Sequence, residues 1–157
     1  MNNQRGFSLI ELLIVVAIIL IISAIAIPNY MRSRMQANEA SAVSSLRMIN
    51  TAAITYFSTY QSIGYPPTLA SMGGAAPCLS NSSSACMLDD TIAQGTKSGY
   101  IFIWNGDGAI PSVAYAATAT PVSAGSSGQR MFCTDQTGLT RYEISGSGCN
   151  GSSTPVP

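Results

Sequence analysis

Histidine is absent from this 157-residue chain, and only 9% of its residues are charged. Without His, the commonest general base and the commonest nitrogen ligand for metals are missing. Seven Lys and Arg balance seven Asp and Glu, which supplies neither a basic face for nucleic acid nor an acidic tail. Composition therefore leaves nucleic acid undecided as a partner. Low charge also favours association between copies over free solubility. Serines are plentiful, but a serine nucleophile needs a base. Lys97 is the one familiar substitute, and a single lysine beside a loop serine reads as a solvated turn residue. No glycine-rich phosphate loop follows a strand, so nucleotide binding has no support. The chain is expected not to be an enzyme and to need no metal or cofactor.

What is present lies first at the N-terminus. Met1–Arg5 precede Gly6-Phe7-Ser8-Leu9-Ile10-Glu11, and Leu12–Ile27 follow with Ser23 as the only polar residue. As a helix, the stretch from Phe7 to Ile27 spans roughly 31 Å, about the thickness of a hydrocarbon core. An ionised Glu near the middle of such a segment costs roughly 2.5–3.5 kcal/mol on insertion scales, so Glu11 needs a partner. Cutting the chain after Gly6 creates one. Phe7 then carries a free α-amine four residues from Glu11, on the same helix face. A carboxylate in the first turn also complements the helix dipole. In a bundle of identical helices offset along their axes, Glu11 of one chain can meet the Phe7 amine of the next.

The segment Gly6-Phe7-Ser8-Leu9-Ile10-Glu11-Leu12-Leu13 and its apolar run resemble the processing and assembly motif of type IV pilins and pseudopilins. The likeness covers residues 1 to about 60. It implies cleavage between Gly6 and Phe7 by a prepilin peptidase, N-methylation of Phe7, and Glu11 as the acid that guides assembly. Pro28 matches a proline near which pilin helices often loosen. An ordinary secretory signal with a small-residue site at Ser23-Ala24-Ile25-Ala26 is the plainer alternative. Such a signal has no use for an acid at its apolar start, and it would leave the helix beyond Pro28 without an anchor.

Cys78, Cys86, Cys133 and Cys149 lie beyond the apolar segment. An even number in an exported segment reads as disulfides. Three pairings are possible, and Cys78–Cys86 with Cys133–Cys149 is favoured because each closes a local Gly/Ser/Asn-rich loop. Zinc is the rival, but this spacing without His is not ligand-like.

Beyond Pro28, Val43, Leu46, Ile49, Ala53, Phe57 and Tyr60 recur at helical steps. The spacing predicts a helix from Ser8 to about Gln61, ending before Gly64 and Pro66-Pro67. At roughly 80 Å it exceeds what one globular domain needs, so its first half should protrude. Pro28 should kink or locally melt it. Residues 63–98 read as a loop with a helical turn near Pro67–Met72. Four strands are expected, at 100–104, 112–120, 129–134 and 139–144, with Asn105-Gly-Asp-Gly108 as a hairpin turn. The tail from Ser145 reads as loop. Asn105 and Asp107 invite a calcium reading, but calcium wants six to eight oxygens and this turn offers two side chains. Tyr30, Tyr56, Phe57 and Tyr60 invite electron conduction, yet rings at helical spacing are ordinary packing groups. Arg32 and Arg34 follow the apolar segment on what should be the outer side, against the usual bias of positive charge.

The expected fold is α+β: a long N-terminal helix, membrane-spanning in its first half, packed on an antiparallel sheet of about four strands. Expected divisions are a leader (1–6), a filament-core helix half (7–27), an amphipathic helix half (28–62) and a disulfide-closed head (63–157). The resemblance implies a structural subunit of a type IV pilus. It would be a homo-oligomer in a helical filament, made with the peptidase and the inner-membrane assembly machinery. Its precursor would sit as a single-pass protein in inner-membrane lipid before reaching the cell surface. Adhesion, twitching motility and DNA uptake are possible roles. The alternatives are a minor pilin, a pseudopilin of a type II secretion system, or a membrane-anchored binding protein that never polymerises.

Overall fold

The structure is a computed structural model that describes residues 7–144 and 148–157. Its backbone divides into two compact units, Met1–Arg34 and Met35–Pro157. Helix α1 (Leu9–Thr59) supplies most of the first and the opening of the second. It is unbroken through Pro28, so the expected melting there does not occur. One missing N–H removes a single rung, and neighbouring rungs are enough to carry the helix across it.

Within the second unit, α1 buries Glu39, Ala42, Leu46, Ile49, Ala53 and Tyr56, alternating steps of three and four. This stripe is rotated slightly from the expected one. Phe57 is exposed, and Val43 and Tyr60 are half-buried at the edge. Tyr56 takes the inner place because its hydroxyl finds a partner, donating to the Ser82 carbonyl at 2.6 Å. Phe57 instead lies at the rim against Tyr65, with ring centroids 4.9 Å apart.

The sheet has six strands rather than about four, all antiparallel and in sequence order. They are β1 (Thr96–Lys97), β2 (Tyr100–Gly106), β3 (Tyr115–Pro121), β4 (Met131–Asp135), β5 (Arg141–Glu143) and β6 (Thr154–Pro155). The two additional strands have two residues each, too few to show a period of two in sequence. Strand β6 corrects the reading of the tail as plain loop: Tyr142 pairs with Thr154, and the Val156 N–H donates to Thr140 at 2.9 Å. Both edges are blunted, β1 by its length and Lys97, and β6 by Pro155, which has no N–H to offer. A short helix α2 (Asp90–Ala93) also lay outside the sequence reading. Asp89 caps it, accepting the Thr91 N–H at 2.8 Å. The expected helical turn is a 3-10 turn at Ala70–Met72.

Alternation along the strands sorts the faces. Tyr100, Phe102, Tyr115, Ala117, Ala119 and Phe132 join Leu46, Ile49 and Tyr56 in one core, while Ile101 and Ile103 face outward. A buried polar knot crosses that core. The Asn50 amide donates to Thr134 Oγ1 at 2.8 Å, and the Tyr115 hydroxyl donates to Asn50 Oδ1 at 2.8 Å. Burial pushes the Tyr115 hydroxyl well above the ordinary tyrosine range, with Tyr65 and Asp135 adding to it, so it stays protonated and serves as a donor.

The exit of α1 depends on one glycine. Gly64, at φ +83°, bridges to Ser112, whose carbonyl accepts the Tyr65 N–H at 3.0 Å. A Cβ at position 64 would fall on the Ser112 backbone, which cannot swing away as a side chain would. Gly64→Ala is therefore expected to cost about 3 kcal/mol, combining a left-handed backbone with a backbone clash. Urea unfolding of the variant in detergent, followed by tyrosine and tryptophan fluorescence, measures it.

Two disulfides are present, Cys78–Cys86 and Cys133–Cys149. The second ties β4 to the segment between β5 and β6. Replacing both Cys133 and Cys149 by Ser should lower stability by about 2–4 kcal/mol. The same unfolding experiment should show the loss under oxidising conditions and none under reducing ones.

Candidate functional site

The first turn of α1 is where the structure adds most to the sequence reading. Ser8 precedes the helix, and its backbone N–H donates to Glu11 Oε2 at 3.2 Å, while its carbonyl accepts the Leu12 N–H at 3.3 Å. Ser8-Leu9-Ile10-Glu11 is thus half of a capping box, in which the acid at the third helical position reaches back to the N-terminal donor. The signal, Ser followed three residues later by Glu before an apolar run, is present in the sequence. Glu11 has a partner even in an isolated chain. That partner is one exposed backbone N–H, which neutralises no charge.

Below this cap the helix has an apolar surface with nothing on it. Leu9 is 80% exposed, Leu20 64% and Ile25 72%. Among the described residues α1 is the helix long and apolar enough to cross a membrane. Phe7 is likewise exposed, close to Glu11 in sequence. Gly6, the other half of the expected cleavage site, lies outside the described residues, as does the leader. Pro28 sits on an open helix surface with Tyr30, Arg32 and Arg34, all of them exposed. The four cysteines lie in the other unit, in two separate pairs, and form no common cluster.

The Asn105–Gly108 segment does not behave as a bare hairpin turn. Strand β2 runs on to Gly106 opposite Tyr115, and residues 107–114 form the connection. Asp107 organises it. Its carboxylate accepts the N–H groups of Ala109 (3.1 Å), Val113 (3.0 Å) and Ala114 (3.1 Å). The Ser112 hydroxyl first, then the Val113, Ala109 and Ala114 N–H groups, hold the Asp107 carboxyl down at about 2. Its lone pairs are directed at donors of its own loop, which is why the expected strand at 112–120 starts at Tyr115.

Glu39 is the functional-looking residue that apolar periodicity missed. It lies on the buried face of α1 and accepts the N–H of Gln129 at 2.8 Å and of Arg130 at 3.2 Å. The Arg130 Nε donates to it at 2.7 Å. Burial by itself would raise its carboxyl. The Gln129 N–H, the Arg130 side chain and the Arg130 N–H outweigh that and hold it below the ordinary carboxylate range. The guanidinium also lies over the rings of Phe132 and Tyr142, at 5.5 and 5.3 Å. Beside it, the Asn38 amide donates to the Ser127 carbonyl at 2.9 Å.

An apolar helix with an acid in its first turn, followed by an antiparallel sheet, places the chain in the α+β class. Residues 1–27 match the family model described as the prokaryotic N-terminal methylation motif. The chain is 48% identical over 56 residues to the type IV major pilin protein PilA of Myxococcus xanthus, covering 36% of this chain and 26% of the relative. It is 56% identical over 39 residues to the type IV wide pilus major component PilA4 of Thermus thermophilus (25% and 30%). Over 53 residues it is 51% identical to a fimbrial protein of Pseudomonas aeruginosa, covering 34% of each chain. The matched stretches thus span between about a quarter and a third of these relatives' lengths. No solved structure gives a significant match. Over its N-terminal third the chain is thus similar to type IV pilins.

Proposed function

We propose that this chain is the precursor of a structural subunit of a type IV pilus filament. It is cut between Gly6 and Phe7, methylated on Phe7 and polymerised through Phe7–Ile27. The observation that carries this reading is the bare apolar surface of α1 with a single acid, Glu11, in its first turn. The pilin relatives support the structural, non-enzymatic role. Before assembly the helix rests in inner-membrane lipid, where its exposed side chains are solvated by hydrocarbon. Lipid tails are as apolar as neighbouring helices, so close packing and the Glu11 contact, more than hydrophobic gain, direct assembly. Cleavage replaces the neutral Ser8 N–H partner by a cation, the Phe7 amine of the same chain or of the next. The divisions 1–6, 7–27, 28–62 and 63–157 are the working parts of this scheme: leader, core helix, head-bearing helix and head.

Mass spectrometry of sheared appendages tests it. The expected result is a filament whose subunit begins at N-methylated Phe7 and carries both disulfides. A mature chain starting at Ile25 or Ile27, or a membrane protein never recovered in filaments, overturns it. Deletion followed by twitching and secretion assays separates a pilus subunit from a secretion-system pseudopilin.

A further inference from the structure

Both edges of the sheet are blunted, so contacts between heads must use faces or loops. One loop stands out. Between β2 and β3, residues 107–114 present Ile110 at 84% and Val113 at 65% exposure. These are large aliphatic side chains on a loop that is held from within. Asp107 takes three of its N–H groups, and the Ser112 N–H donates to Ile63 at 2.8 Å. A loop whose shape is already set loses little entropy on docking. Exposed aliphatics on such a loop point to contact with another surface.

A receiving surface exists on the same unit. A groove of about 490 Å³ runs between the outer face of α1 and the segment before α2. Met48, Ala52, Met87 and Leu88 give it an apolar floor, and Arg47 stands on its wall. Methionines adapt to irregular aliphatic partners. Among the described residues Arg47 makes no ion pair, whereas Asp89, on the opposite wall, is paired with Lys97 at 4.0 Å. Of the two charged residues lining the groove, Arg47 is the one left to meet a carboxylate from another surface.

Among the exposed aliphatics, Ile144 stands alone beside Glu143 at the end of β5, and charge selects among those on the loops. The loop bearing Leu79 has no charged residue from Pro77 to Leu88, and neither does the loop bearing Val122 from Val122 to Gly128. The Ile110 loop carries the permanent negative charge of Asp107. We propose that Ile110 and Val113 of one subunit seat in the groove of a second copy of this chain, with Asp107 facing Arg47. The two surfaces share no residue, so the contact is head-to-tail, which propagates into an open helical polymer instead of closing into a dimer. The inference rests on the pilus reading and specifies which surfaces of the head meet.

Disulfide trapping in filaments made by the full chain tests it. Ile110→Cys combined with Met48→Cys should give a ladder of cross-linked multimers, whereas Val122→Cys with Met48→Cys should give none. Ile110→Asp should lower filament yield about tenfold, the equivalent of roughly 1.4 kcal/mol per contact. Both Arg47→Glu and Val113→Lys should lower it, and the two together should restore it. Unchanged thermal unfolding of each variant shows that the head is intact. Filaments of normal yield from Ile110→Asp, or filaments without the 110–48 ladder, overturn this inference and leave the pilus reading standing. Absence of any filament from the unaltered chain overturns the pilus reading itself.

Discussion

Glu11→Ala is expected to insert into the membrane normally and to be nearly absent from filaments. Removing the acid takes away an insertion cost of up to roughly 2.5–3.5 kcal/mol, so the variant should anchor at least as well as the parent. Its capping bond to Ser8 is also lost, but the helix continues through an apolar segment in lipid and should only fray at its first turn. Assembly is different. Each added subunit loses one charge-to-charge contact and leaves a Phe7 amine without its carboxylate in a desolvated bundle. A loss of about 1.4 kcal/mol per subunit reduces incorporation tenfold, and a desolvated amine costs more than that. Membrane fractionation with filament shearing separates the two steps. Parental filament yield from Glu11→Ala would refute the assembly role and leave Glu11 as a helix cap only. Glu11→Gln refines the test, since glutamine still caps Ser8 but cannot neutralise the amine.

Glu39→Ala should destabilise the second unit by about 2–4 kcal/mol. Two backbone N–H groups, of Gln129 and Arg130, lose their acceptor, and a charged side chain loses its partner. The half-exposed Arg130 side chain keeps this below the cost of a fully buried pair. Glu39→Gln keeps an acceptor and should cost about half as much. Because the folded carboxyl lies below its ordinary value, Glu39 contributes fully above the ordinary glutamate range, near about 4.3. That contribution disappears as pH falls through the lowered folded value. The stability gap between parent and Glu39→Gln should therefore be widest at neutral pH and close at acid pH, below the ordinary glutamate range. Urea midpoints at both pH values give the answer, and a gap that stays constant would contradict the ionised clasp. Arg130 and Tyr100 are the groups facing this carboxylate.

Much of this was legible in the residues. Local signals reveal themselves without tertiary context, such as an uninterrupted apolar run, a proline-glycine stop, or β-branched runs like Tyr100–Trp104. Short elements did not, because Thr96–Lys97 and Thr154–Pro155 form strands only where a neighbour already offers an edge. Ser8–Glu11 is readable as a capping box from its spacing alone. Glu39 and Asn50 were invisible for a different reason. Each is a polar residue on an apolar face, and its partners lie 65 to 91 positions away.

By itself, then, the order of residues determined the long apolar helix, the α+β class and the position of an acid in its first turn. Those properties follow from helix length, hydropathy and spacing of three to four, all short-range quantities. Tertiary structure alone decided which face of α1 turns inward, because Tyr56 outcompetes Phe57 once Ser82 supplies a hydrogen-bond acceptor. It also decided that Asp107 shapes its own loop, holding Ile110 and Val113 on the surface. Such outcomes depend on groups brought together by folding, and no local pattern encodes them.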